Sequence, residues 1–272
     1  MTEMLGFQGF GEAGRAIARG LSRSCVAHDL KHVDPLEGVI IGELNGLARA
    51  RVIFCLVTAD QAVAAAEAAA PHLAAGALWL DGNSCSPGTK LRAAGTIQAA
   101  GGRYVDLAIM APIHPRLHQT PMLVSGPHAQ AAIDALAPLG MKPVVAGKVV
   151  GQASSIKMLR SVIVKGLEAL TTESFLAARK AGVDQAVIAS LQASDPGIDW
   201  LARGAYNLER MLVHGARRAA EMEEVAVTLR DLGLPDRMAA ATADWQAHLA
   251  GLVEPGGDDF GSRADAVLKA LK

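Results

Sequence analysis

The sequence predicts an α/β chain: a doubly wound parallel sheet in the N-terminal part, followed by an all-α C-terminal domain joined to it by a long helix. Three observations carry that reading. A short apolar run, Met4-Leu5-Gly6-Phe7-Gln8, breaks into a turn with glycines at 9, 11 and 14 and leads straight into an alanine-rich helical stretch. Up to about residue 150, short apolar runs alternate with helical stretches, as parallel strands joined by crossover helices do. From Ser154 onward the pattern is helical throughout.

Taken in order, residues 3–8 read as a first strand, 12–23 as a helix and 25–29 as a short second strand. Arg51-Val-Ile-Phe-Cys-Leu-Val57 is almost unbroken apolar sequence, which suits a central parallel strand buried on both faces. A helix follows over 60–74, then a strand over 77–81 that ends in the turn Gly82-Asn83-Ser84. Ser86-Pro87 opens the next helix, with proline suited to its first turn. Residues 104–109 and 122–125 supply two more strands of the parallel sheet. The long helix runs from Ser154 to about Ala181 without an internal proline, and Gly182 closes it as a C-cap. Helices over 184–194, 197–232 and 236–250 follow, with breaks at Pro196 and Pro235; then come a loop, Glu254-Pro-Gly-Gly-Asp-Asp259, and a last short helix. The border falls near Gly151, dividing the chain into residues 1–150 and 151–272.

The glycines at 9, 11 and 14 stand at G-x-G-x-x-G spacing directly after a strand. Gly9 permits a tight strand-to-helix turn, Gly11 lets backbone approach a pyrophosphate without a Cβ in the way, and Gly14 lets the helix pack closely on the strand. The helix start adds unpaired N–H groups and a positive dipole. This predicts a Rossmann dinucleotide-binding domain, with Gly9, Phe10, Gly11, Glu12, Ala13 and Gly14 at the phosphates. Asp29, at the end of the second strand, is the candidate for the ribose hydroxyl and favours NAD. Lys31 and His32 follow closely and offer a site for the 2′-phosphate of NADP, in which case Asp29 is an ordinary turn residue.

Bulk properties exclude other classes. The 272 residues carry a net charge of −1 with 51% apolar, 19% charged and 4% aromatic residues, so there is neither a basic field nor a set of stacking platforms for nucleic acid. The most apolar stretch, residues 61–80, contains Glu67, Pro71 and His72 and does not read as membrane-spanning. No basic segment followed by an apolar signal region opens the chain. Cys25, Cys55 and Cys85 lack C-x-x-C spacing and read as small buried hydrophobes in a reducing compartment. The expectation is a cytoplasmic chain with no metal site.

Hydride transfer requires a group that exchanges a proton with the substrate oxygen, and Lys157, near the start of the long helix in Gly151-Gln-Ala-Ser-Ser-Ile-Lys157, is the leading candidate. A lysine in a partly desolvated cleft has its pKa lowered toward working pH. The order of the glycine turn, Asn83-Ser84-x-Ser86-Pro87, Val105-Asp106 and Gly151-x5-Lys157 resembles the β-hydroxyacid dehydrogenases, which include the 3-hydroxyisobutyrate and 6-phosphogluconate dehydrogenases. The likeness covers nearly the whole chain. It implies that Lys157 is the general acid/base, that Val57 and Thr58 lie beside the nicotinamide ribose and that Asn83 and Ser84 lie near the ring. It also implies a homodimer through the helical domain.

Departures are specific. Where that family has Ser-Gly-Gly for the substrate carboxylate, this chain has Met110-Ala111-Pro112, followed by His114 and Arg116. The usual asparagine four residues after the lysine is Ser161, preceded by Arg160, and a late Lys-Asp-Leu motif is replaced by a segment with His214, Arg217, Arg218 and Glu221. This tail is similar to a phosphogluconate-dehydrogenase-like branch with a helical domain of unknown function. Lys157, Ser161 and Lys165 fall on one helix face, so Lys157 and Ser161 are the catalytic candidates. Met110, His114, Arg116, Arg160, His214 and Arg218 are candidates for a small polar substrate. Arg217 and Arg218 have an alternative as partners of Glu221 to Glu224 on a solvated face. The resulting expectation is an NAD(P)-dependent dehydrogenase of a β-hydroxy acid or related polar alcohol or carbonyl. An imine reductase on the same scaffold and a non-catalytic NAD-binding sensor are the alternatives.

Overall fold

The computed structural model describes residues 4–21, 23–254, 257 and 259–271. Glu3, Ser22, Pro255, Gly256 and Asp258, which the expected first strand, first helix and late loop include, lie outside the described residues. Among the described residues one sheet holds β1 (Met4–Gln8), β2 (Cys25–His28), β3 (Val39–Ile41), β4 (Ala50–Cys55), β5 (Leu78–Asp81), β6 (Arg103–Ile109), β7 (Met122–Ser125) and β8 (Val144–Gly147). Their lateral order is β3-β2-β1-β4-β5-β6-β7-β8. The order reverses at β1, the switch point at which open α/β sheets bind ligands beyond the carboxyl ends of their strands.

Sheet and helices follow from the sequence pattern. Along β4, Val52 and Phe54 join one core while Ile53 and Cys55 join the other, so the strand is apolar throughout because both of its faces are covered. On the first face, Phe7 stacks on Phe54 with centroids 5.4 Å apart, under α1 (Glu12–Leu21). On the second, Trp79 and Tyr104 pack with alanines of α2 (Ala62–Ala69) and α3 (Pro87–Ala99). Ser86 caps α3, its hydroxyl accepting the Thr89 N–H at 3.3 Å, and Pro87 fills the first turn, where no amide donor is needed.

Three expectations are corrected. The sheet is not wholly parallel: β7 runs antiparallel to β6, with Ile109 opposite Met122. The connecting residues 110–121 hold only a 3₁₀ turn over Leu117–Gln119, too little for a crossover helix, and strands joined without a crossover pair antiparallel. The stretch 60–74 is not one helix. α2 stops at Ala69 because Pro71 has no amide to donate, and a 3₁₀ turn over Ala70–His72 follows. The edge strands β3 and β8 and the helix α4 (Ala129–Leu136) were not anticipated; β3 is three residues long and β8 is half exposed, so neither leaves a long apolar run.

The rest is helical: α5 (Gln152–Ala181), α6 (Asp184–Ser194), α7 (Trp200–Asp231), α8 (Arg237–Leu249) and α9 (Phe260–Ala270). The chain divides into two compact units between Met158 and Leu159, inside α5. In the second unit, Phe175 meets Phe260 edge-on at 5.6 Å in a core with Leu208, Met211 and Leu249. Asp199 caps α7 through the Ala202 N–H at 3.0 Å, which sets its start at Trp200 rather than at 197. Charges are buried here in pairs. Arg218 grips Glu168 with Nε 2.9 Å from Oε2 and Nη2 on Oε1, and Gln246 donates to the same carboxylate at 2.9 Å. Lys165 sits 2.6 Å from Glu221. Burial pushes the Lys165 ammonium below the usual lysine range, against the pull of Glu221.

Candidate active site

The last residues of β2, β1, β4, β5 and β7, with Asp106 midway along β6, form one register row. His28, Gln8, Cys55, Asp81, Asp106 and Ser125 are successive partners across β2, β1, β4, β5, β6 and β7. Members of a row point to one face, so three polar side chains, those of Asp81, Asp106 and Ser125, meet beneath α3 and the start of α5. All three are fully buried.

Above this row lies the glycine turn. Gly9 has φ +85°, and a Cβ there would stand 2.5 Å from the Leu56 carbonyl oxygen. A Cβ on Gly14 would stand 2.9 Å from the Gly9 carbonyl oxygen, so helix and turn touch. Gly11, by contrast, faces open space. Glu12 is exposed and Ala13 half-buried in the first turn of α1, whose leading amides have no partner within the helix. Phe10 is placed differently from the rest of the turn: its ring is fully buried against Phe7, and its N–H donates to Asp29 Oδ2 at 2.7 Å. Asp29 Oδ1 accepts the Lys31 N–H at 2.9 Å, so two backbone donors hold this carboxylate at the end of β2. Lys31 and His32 are exposed.

Beyond β4 and β5, Asn83 is buried and serves the loops. Its Oδ1 accepts the Val57 N–H at 2.7 Å and its Nδ2 donates to Cys55 Sγ at 3.3 Å. Gln61 and Thr58 hydrogen-bond Asp60 and hold its carboxyl below the ordinary range. Ser84 points elsewhere: its hydroxyl accepts the Lys157 Nζ at 2.8 Å. That contact joins the loop after β5 to the second turn of α5. Both residues are half-buried.

Beneath this pair lies a group of buried charges in which Asp106 belongs to a motif quoted above and Lys90 does not. Lys90 on α3 donates to the Asp81 carbonyl at 2.7 Å and to Asp81 Oδ1 at 2.8 Å, and stands 3.6 Å from Asp106 Oδ1. Tyr104 donates to Asp81 Oδ2 at 2.6 Å. Burial alone would lower the Lys90 pKa, but the two carboxylates outweigh it and hold the ammonium above the usual lysine range. Burial, reinforced by Asp81, pushes the Tyr104 hydroxyl up. One signal existed: Lys90, Ala93, Ala94 and Ile97 form the buried stripe of α3, with the lysine at its head.

Other candidates are dispersed. His114 and Arg116 are exposed on the loop after β6, and that loop packs Leu117 and His118 against Gly20 in the last turn of α1, away from the glycine turn. Met110 is half-buried at its start, its N–H donating to the Pro121 carbonyl at 2.9 Å. In the helical unit Ser161 is buried and Arg160 exposed on α5, while His214 is half-buried on α7. Arg218 turns Nε and Nη2 onto Glu168, and Arg217, itself exposed, pairs with Glu221 at 2.9 Å. Among the described residues no group of three His, Cys, Asp or Glu side chains is placed to hold a metal, and no helix is long and apolar enough to cross a membrane.

The chain is similar to several known proteins. A domain of unknown function, DUF1932, matches residues 178–249. A conserved hypothetical protein from Sinorhizobium meliloti is 35% identical, with 99% of this chain and 97% of that one aligned at a TM-score of 0.76. A second conserved protein of unknown function, described as structurally similar to 3-hydroxyacid dehydrogenases, is 28% identical over 98% of this chain and 99% of its own, at 0.71. The chain has the fold of the 3-hydroxyacid dehydrogenases. The same fold occurs in a Mycobacterium tuberculosis 3-hydroxyisobutyrate dehydrogenase that is 13% identical, with all of both chains aligned at a TM-score of 0.73.

Proposed function

We propose that the chain is an NAD(P)-dependent oxidoreductase that moves hydride between a nicotinamide cofactor and a β-hydroxy acid or related polar alcohol or carbonyl, with Lys157 as general acid/base. The contact between Lys157 Nζ and Ser84 Oγ, 2.8 Å long at the carboxyl edge of the sheet, carries this reading. An ammonium has three donors, and anchoring one on Ser84 sets the direction of the others. Lys157 gives a proton to a carbonyl oxygen in reduction and takes one from a hydroxyl in oxidation. Ser161, one turn further along α5, is the second polar group on that helix face. A bound nicotinamide would supply or accept the hydride. The amides of the glycine turn and α1 suit its pyrophosphate, Asp29 a ribose hydroxyl, and the loop of Val57 and Thr58 the second ribose.

The turn fits such a ligand because its crowding is selective. Gly9→Ala is expected to strain the left-handed backbone by about 1–2 kcal/mol or more, lowering both the denaturation midpoint and nucleotide affinity. Gly11→Ala meets open space, so the midpoint is expected to stay within about 0.5 kcal/mol while affinity for the dinucleotide falls. Calorimetric titration with NAD+ beside chemical denaturation reads both; equal affinity for Gly11→Ala and the parent chain would take the pyrophosphate away from this turn. The backbone-held Asp29 favours NAD over NADP, and a preference for NADP in the same titration would move selection to Lys31 and His32.

Substrate class is tested by following reduced nicotinamide at its absorbance maximum with panels of 3-hydroxy acids, ketones and imines. Turnover confined to imines, or none with any alcohol, would sink the proposed reaction. A second copy of the chain is the expected partner. Leu159, Ile163, Leu167 and Leu170 form an exposed apolar stripe along α5, with Ile163 65% exposed, and Val213 and Tyr206 on α7 are exposed as well. Such an exposed apolar stripe supports a protein–protein interface there. Light scattering should give twice the 28.2 kDa of one chain, and a mass of 28.2 kDa would refute the dimer.

A further inference from the structure

At the start of α5 the Gln152 N–H donates to the Val149 carbonyl at 3.3 Å, while the next two amides are met by side chains of the sheet. Asp106 Oδ2 accepts the Gly151 N–H at 3.1 Å, the Ser154 N–H at 3.0 Å and the Ser154 hydroxyl at 3.1 Å. Ser125 Oγ, which donates to the same oxygen at 3.0 Å, accepts the Ala153 N–H at 2.9 Å. A carboxylate at this place also meets the positive end of the helix dipole. Four donors therefore converge on one oxygen, and Lys157 stands three residues beyond Ser154 on the same side of the helix.

The other end of the contact has the same root. Asp81 Oδ1 accepts the Asn83 N–H at 3.0 Å and so shapes the loop that presents Ser84. Lys90, buried between Asp81 and Asp106, ties the two carboxylates together. One cation thus joins the support of Ser84 to the support of Lys157.

We propose that Asp106, seated against Lys90, is a positioning residue for Lys157: it holds the first turn of α5 so that the amine rests on Ser84. This deepens the reading of Lys157 as the proton-transfer group and rests on it. A purely structural role would lower stability and leave folded molecules alike; a positioning role changes the environment of one amine in molecules that remain folded.

Asp106→Asn separates the two. An asparagine that keeps its oxygen toward Gly151 and Ser154 turns its NH2 against the Lys90 ammonium, so the cap is weakened without a change of size. Competitive acetylation of the intact chain by acetic anhydride, read peptide by peptide, gives the reactivity of Lys157 relative to the exposed Lys142 and Lys148. That ratio is expected to rise at least about threefold in folded Asp106→Asn as the amine leaves Ser84. With a substrate, kcat should fall about tenfold or more while KM for the nucleotide stays within about twofold, since small displacements of a reacting group cost this much. Should Asp106→Asn fail to fold, Ser154→Ala removes only the hydroxyl donor, and an increase of about twofold in the ratio is expected. An unchanged ratio in the folded variant overturns the proposal. Acetylation needs no substrate, so a chain that oxidises nothing would count against the proposed reaction, while the labelling ratio still decides the role of Asp106.

Discussion

Lys157→Ala is expected to lower kcat about a hundredfold or more and to leave the dissociation constant of the nicotinamide nucleotide unchanged. General acid–base groups contribute about 10²- to 10⁴-fold, and alanine keeps the helix propensity of α5, so the loss falls on chemistry rather than on folding. Ser84 loses a donor but stands half-buried, within reach of water. Lys157→Arg sharpens the test. Arginine keeps the charge but does not give up its proton, so a dehydrogenase that needs acid–base exchange stays slow, whereas one that needs only a cation recovers. Steady-state kinetics beside nucleotide titration separate these outcomes, and undiminished turnover by Lys157→Ala would remove the lysine from the mechanism.

Lys90→Met carries the largest expected effect on stability, a loss of about 3–5 kcal/mol. Methionine fills similar space, but it leaves Asp81 and Asp106 buried without their shared cation, and an uncompensated buried charge costs more than the pair contributed. The pH dependence follows from the raised pKa of Lys90. A lysine whose pKa is higher in the folded than in the unfolded state contributes stability that is fully present below the unfolded value, about 10.4, and is lost as pH rises through the folded value. The difference between parent and variant should therefore be constant from neutral pH to about 9 and shrink only in stronger alkali. Urea denaturation at several pH values measures it; a difference below about 1 kcal/mol at neutral pH would show that the carboxylates find other partners.

The two sites differ in how legible they were. Gly9, Gly11 and Gly14 could be read because the demands on them are local: a turn, an open approach and a close helix contact all fall within six residues of chain. Lys157 was legible from its place after Gly151 in a long helical stretch. Asn83 was legible from its motif, but its contacts with Val57 and Cys55, 26 and 28 residues earlier, are set by the sheet and leave no local pattern. Arg218 shows the same limit. Its stripe with His214 and Glu221 on α7 was visible, but the partner that engages it, Glu168, lies 50 residues earlier on α5. The antiparallel β7 escaped because a strand's sequence carries its burial and not its direction.

Local sequence by itself determined the alternation of strands and helices, the glycine turn, the long proline-free helix and the lysine near its start, because each depends on backbone conformation and side-chain periodicity within a few turns. Only the tertiary structure decided what holds that lysine. The register Asp81–Asp106–Ser125 places three buried polar groups in one row, a lysine from α3 closes it, and the cap of α5 comes from a strand 45 residues upstream. Such a cap is an alignment of distant strands, and the free energy that enforces it is the burial of charge, which exists only once the sheet has formed.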